Sequence, residues 1–166
     1  HALGAPRVVE HDDVGGEARR ERAPLVVAAQ HARGGAGQRL DRPGVMVQEH
    51  LSTGGKRLRA RLALASATAL GVGPGARAWA EAVELLHNAT LIHDDIQDGD
   101  RVRRGQPTTW VRHGVAQAIN AGDLMLMVPY QILSCLDVQG DHLRQLFGRF
   151  SYRTIETVRG QSLEMT

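Results

Sequence analysis

Cysteine, lysine and aromatic side chains are nearly missing from this chain. Among 166 residues there is one cysteine, Cys135, and one lysine, Lys56; the aromatics are two Trp, two Tyr and two Phe. A single cysteine excludes an internal disulfide and fits a reducing, cytoplasmic setting. Cys135 lies in an apolar run and reads as buried filler. With 42% hydrophobic but only 4% aromatic residues, the core has to be built from Ala, Leu and Val, which suits packed helices better than a sheet. A strong charge imbalance is lacking too. Twenty Lys and Arg stand against 18 Asp and Glu, a net charge of +2, which gives no general case for binding nucleic acid. No run is long and apolar enough to span a membrane. The chain starts at His1 rather than Met, and no signal-peptide pattern follows, so it reads as trimmed or incomplete at its start.

What is present is a succession of helical patterns after an uninformative start. Residues 1–44 form a poorly defined N-terminal segment of Gly, Arg and Ala, in which only Pro24 to Gln30 is apolar enough for a short helix. His11, Asp12 and Asp13 resemble a metal pair but fit a surface or disordered tail better. Residues 45–166 form the second unit. Val45 to Leu51 ends a helix, and Ser52-Thr53-Gly54-Gly55 breaks it into a loop whose backbone can approach a ligand. Lys56, Arg57 and Arg59 then crowd the first turn of the next helix, Leu58 to Leu70. Cations are poor choices at a helix N-terminus, so this conflict points to a bound anion.

After the turn Gly71 to Gly75, the pattern predicts a helix over Ala76 to Asp98, with Trp79, Val83, Leu86, Thr90 and the terminal acids on one stripe. Gly99 to Pro107 reads as a polar loop. Val115 to Leu136 reads as a helix that Pro129 should kink or interrupt. A last helix runs from Asp141, with Leu143, Leu146, Phe147, Phe150, Ile155 and Val158 as its apolar set and Gly148 as a candidate break. No strand is predicted.

The stretch Leu85 to Thr109, LLHNATLIHDDIQDGDRVRRGQPTT, carries the chemistry. Asp94 and Asp98 are four apart, so on a helix their carboxylates share a face and can converge on one divalent ion. Two like charges that close call for a cation between them. Oxygen-only ligands favour a hard ion, and Mg2+ is usually shared between one or two carboxylates and substrate phosphates. Arg103 and Arg104 supply forked donors that match phosphate oxygens. Acids and arginines side by side therefore point to a diphosphate carried on Mg2+. His87, seven residues before Asp94, lies two turns back on the same face.

These residues carry a family resemblance. GGKRLR (Gly54 to Arg59), LLHNATLIHDDIQD (Leu85 to Asp98), RRGQPT (Arg103 to Thr108), AGD (Ala121 to Asp123) and GQSLE (Gly160 to Glu164) resemble, in order and spacing, the trans-type isoprenyl diphosphate synthases of the polyprenyl synthetase family. The resemblance implies an all-α isoprenoid-synthase bundle, of which this chain would be the N-terminal half, usually assembled as a homodimer. It implies head-to-tail condensation of isopentenyl diphosphate with an allylic diphosphate.

Carried over residue by residue, Asp94 and Asp98 would hold magnesium on the allylic diphosphate, supported by Asp95, and Arg103 would contact that diphosphate. Lys56, Arg59, His87 and Arg104 would hold isopentenyl diphosphate, and Gln161 would face the reaction centre. Leu86, Ala89 and Thr90 would set the floor for the growing hydrocarbon. With small residues at 89 and 90, the product is expected to be geranylgeranyl or longer. The chain departs from the family pattern at Ala60, where proline is frequent. The family's second aspartate-rich motif and catalytic lysine lie beyond the point where this chain ends.

Two other readings compete. A metal phosphohydrolase of the HD type would use His87, His93 and Asp94, but it leaves GGKRLR and RRG unexplained; otherwise His93 reads as structural. A non-catalytic helical subunit of a prenyl synthase would need no second motif.

Overall fold

The computed structural model describes residues 42–73 and 75–165. The expected short helix at Pro24 to Gln30 and the His11, Asp12, Asp13 group lie outside the described residues. Among the described residues six helices dominate: α1 (Arg42–Ser52), α2 (Leu58–Ala69), α3 (Gly75–Gln97), α4 (Thr109–His113), α5 (Val115–Ser134) and α6 (Gly140–Glu164). A two-residue hairpin, β1 (Val102–Arg103) and β2 (Gln106–Pro107), sits between α3 and α4.

The main core lies where α1, α3 and α5 meet. Met46 and Val47 of α1 pack with Leu85, Ala89 and Ile92 of α3 and with Ala118, Ala121 and Met125 of α5. Small side chains let the helix axes approach, as the alanine-rich composition foretold. Gly122 takes this furthest: a Cβ there would overlap the ring of His93 on α3, so only glycine admits the ring.

A second cluster joins α3, α5 and α6 around Ala82, Leu133 and Phe150, flanked by Trp79, Val83, Leu86, Tyr130 and Phe147. Four of the six aromatics gather here. Phe150 stands edge-on to Trp79 at 5.9 Å and to Tyr130 at 5.1 Å, a favoured geometry for ring pairs. The expected stripe of α3 is therefore only half of its buried surface. Trp79, Val83 and Leu86 face the second cluster, while the stripe beside them, through Leu85, Ala89 and Ile92, fills the main core.

Several expectations change. α5 runs through Pro129 without a break, with the proline itself buried; its missing N–H is offset by packing. α6 likewise continues across Gly148, and Phe150 is its one buried residue, with Ile155 and Val158 exposed. Cys135 caps α5 and is exposed rather than buried. Among the described residues no helix is long and apolar enough to cross a membrane.

The unpredicted hairpin pairs Val102 with Pro107 and Arg103 with Gln106. Its two-residue turn is Arg104-Gly105, both at positive φ (54° and 75°), which matches the turn type that fits strand twist.

Candidate active site

Asp94 and Asp95 occupy the last turn of α3, and Asp98 follows just past its end. The Asp98 N–H donates to the Asp94 carbonyl at 2.8 Å, which continues the helical path and keeps the two carboxylates on one side. Burial raises the pKa of Asp94, and repulsion from Asp98 adds to the rise; Arg103 opposes it. The Asp98 charge thus reaches Asp94, as expected of two carboxylates on one side of a helix end. Among the described residues no three His, Cys, Asp or Glu side chains are grouped for a metal. A two-carboxylate site of this kind fits an ion that takes its remaining oxygens from phosphate and water, as Mg2+ does.

Asp95 faces the other way. It is 1% exposed and accepts a 2.6 Å hydrogen bond from Arg103 Nε. Burial raises its pKa in spite of that bond, and its second oxygen, Oδ2, has no partner. Asp95 is the anchor of Arg103, with Asp100 a further 3.8 Å contact of the same guanidinium. The hairpin that carries both arginines is clasped at its base. Thr108 Oγ1 and Trp110 Nε1 both donate to the Asp100 carbonyl, at 2.9 and 2.7 Å, and Arg101 stacks on the Trp110 ring.

Arg104 occupies the left-handed region at φ 54°, a costly place for a side chain with Cβ. Its guanidinium lies against Gly55, where an added Cβ would come within 2.8 Å of Nη1. Gly55, at φ 152°, is therefore needed twice, for its backbone angle and for this approach. The contact joins the RRG turn to the GGKRLR loop across 49 positions of sequence.

His87 completes this basic side. Burial lowers its pKa, with Arg59 the next cause and Arg104 and Arg103 contributing; nearby Glu84 opposes them. Burial and positive neighbours thus favour the neutral ring, which can still donate one hydrogen bond. Lys56 and Arg59 are solvent-exposed, and Arg59 acts on the His87 ring. Arg57 is the N-cap of α2 with φ 47°, so Lys56 lies in the loop ahead of the helix rather than on its first turn.

Other candidate residues are less united. Leu86 belongs to the second cluster and Ala89 to the main core, where it is completely buried. Thr90 is half-buried and bonds the His87 carbonyl at 2.8 Å. Leu86 and Thr90, four apart, share a face, whereas Ala89 is packed into the main core, away from open space. Gln161 is half-buried on α6. His93 turns to Gly122 and stands 3.4 Å from Asp123, apart from His87. The pair needed for an HD-type site is therefore not assembled.

Sequence reasoning missed Glu84, Asn88 and His50, polar residues buried at 6%, 5% and 5% exposure. Glu84 Oε2 accepts the N–H of Ala60 in α2 at 3.1 Å, and Asn88 Nδ2 donates to the Glu84 carbonyl at 2.8 Å. Asn88 also hydrogen-bonds His50. The residual signal was three polar side chains on otherwise apolar helix faces.

A fold of packed helices, with paired acids at one helix end and Arg103 returned to that end by a tight hairpin, defines a class. The polyprenyl synthetase family profile matches residues 44–166, and the chain belongs to that family. It is 40% identical over 111 residues to a (2E,6E)-farnesyl diphosphate synthase of Mycobacterium tuberculosis, covering 66% of this chain and 30% of that protein. A geranylgeranyl pyrophosphate synthase of Geoglobus acetivorans is 37% identical over 120 residues, 72% of this chain and 38% of that one. The solved structure of a geranylgeranyl pyrophosphate synthetase from the same archaeon superposes with a TM-score of 0.74 at 32% identity, over 87% of this chain and 48% of that one. The chain spans about a third of the length of these curated relatives.

Proposed function

We propose that this chain forms the diphosphate-binding part of a prenyl chain-elongating synthase. The reaction would be head-to-tail condensation of isopentenyl diphosphate with an allylic diphosphate. The observation that carries the reading is the seating of Arg104 against Gly55, which joins the hairpin to the basic loop, with Arg59, Arg104 and Arg103 all acting on His87 and Arg103 also on Asp94.

In this reading Asp94 and Asp98 hold Mg2+ and, through it, the allylic diphosphate. Bound there, the ion draws electron density from the leaving diphosphate and eases loss of the allylic C–O bond. Arg103, fixed by Asp95, neutralises the departing oxygens without having to reorganise. Lys56, Arg59, Arg104 and neutral His87 hold the second diphosphate, so that the two substrates meet in one orientation. The apolar side of α3 shelters the hydrocarbon from water. Gln161 facing the reaction centre, a product of geranylgeranyl length or longer, a homodimer and a cytoplasmic location belong to the same proposal.

The test is incubation of the purified protein with isopentenyl diphosphate, farnesyl diphosphate and Mg2+, with products read by mass spectrometry. A lengthened polyprenyl diphosphate that disappears with chelator, and with Asp94→Ala, is the expected result. Phosphate ester hydrolysis in place of condensation would favour the HD-type reading. No condensation, together with tight binding to an active synthase, would instead make the chain a helical subunit.

A further inference from the structure

We propose that Glu84 is the positioning residue of the basic diphosphate subsite, acting through the backbone amide of Ala60; this rests on the function proposed above. The N-terminus of α2 is an electrostatic problem. Lys56, Arg57 and Arg59 cluster on it, no acidic residue lies in its first turn, and its N-cap residue, Arg57, makes no side-chain cap. Unpaired N–H groups and the helix dipole already make such an end positive.

The sequence offers no local remedy, and the structure supplies one from another helix. Glu84, on α3, places Oε2 3.1 Å from the Ala60 nitrogen, the third helical residue of α2, where an N-cap side chain would ordinarily accept. Glu84 is 6% exposed, so its carboxylate acts where solvent screens it little. Its own backbone is tied down in turn, its carbonyl accepting from Asn88.

The consequence for the site is geometric. The bond fixes the first turn of α2, which carries Arg59 and follows directly on Lys56, against the face of α3 that presents His87. The Glu84 charge reaches that cluster, since it opposes Arg59 and Arg104 in their effect on His87. Asp94 lies ten residues further along α3, about 15 Å away. Loss of Glu84 therefore disturbs the basic subsite and spares the acidic one.

The experiment is calorimetric binding of isopentenyl diphosphate without metal, and of inorganic pyrophosphate with Mg2+, to the wild-type protein, Glu84→Ala and Glu84→Gln, with helicity checked by circular dichroism. Glu84→Ala should weaken metal-free isopentenyl diphosphate binding roughly tenfold and leave the Mg2+-dependent binding unchanged. Glu84→Gln keeps an acceptor oxygen and should recover most of the loss. Should Glu84→Ala fail to fold, Glu84→Asp carries the same expectation, because it draws the carboxylate back from Ala60 by one methylene. Unchanged binding in the variants, or equal loss of both kinds of binding, overturns the positioning role alone. No binding by the wild-type protein overturns the functional reading and this inference with it.

Discussion

Acidification should destabilise this protein through His50. The residue is buried, its Nε2 has no partner, and its pKa is lowered from 6.5 to about 4. Burial is the main cause and Arg104 the next; the hydrogen bond to Asn88 opposes them. Asn88 gives its amide N–H to the Glu84 carbonyl, which ties the group beside His50 to α3. Unfolded, the imidazole takes up a proton as pH falls through 6.5; folded, it resists until about 4. Between these values the unfolded chain binds more protons, so stability is full above pH 6.5 and is lost toward pH 4.

The gap corresponds to about 3.4 kcal/mol in all, and about 2 kcal/mol of it falls between pH 7 and pH 5. Urea unfolding at those two pH values, on the wild-type protein and on His50→Asn, isolates the effect. The variant keeps a donor toward Asn88 and cannot titrate. The wild-type protein should lose about 2 kcal/mol more than the variant over that interval. Equal losses would refute the account of His50 as a neutral, desolvated member of the polar chain beneath the arginines.

Three further outcomes are expected. Gly122→Ala gains about 1 kcal/mol of helix propensity yet forces a methyl group into the His93 ring; a cost of about 1–3 kcal/mol from overpacking should exceed the gain. Thermal melting would show the midpoint falling, and a rise would mean the ring moves aside freely. Thr90→Phe, at a half-buried position, should shorten the longest product detected by mass spectrometry. Ala89→Phe should instead destabilise the fold, since Ala89 is enclosed in the main core; an unchanged product profile in Thr90→Phe would remove that residue from the chain-length floor.

The helices and the acid pair were legible because both are local. Spacing of four puts Asp94 and Asp98 together whatever surrounds them, and the apolar period marks α3 and α5 directly. The hairpin was not legible, because such turns announce themselves by Asn-Gly or Asp-Gly, whereas here Arg104 accepts the left-handed angle. At the crowded start of α2 the carboxylate of Glu84 reaches the Ala60 amide from another helix, a pairing that no local pattern records. Along α6 the apolar period holds, yet Ile155 and Val158 are exposed, because periodicity says which residues share a face and not what covers it.

The scarcity of aromatics leaves the molecule with a pair of optical reporters in separate places. Trp79 touches Phe150 in the second cluster, so its emission follows the docking of α6. Trp110 hangs from the Asp100 carbonyl under Arg101, so its emission follows the clasp that holds the two site arginines. Replacing either indole with phenylalanine leaves a single-colour probe, and the folding of the scaffold can then be watched apart from the closing of its chemistry.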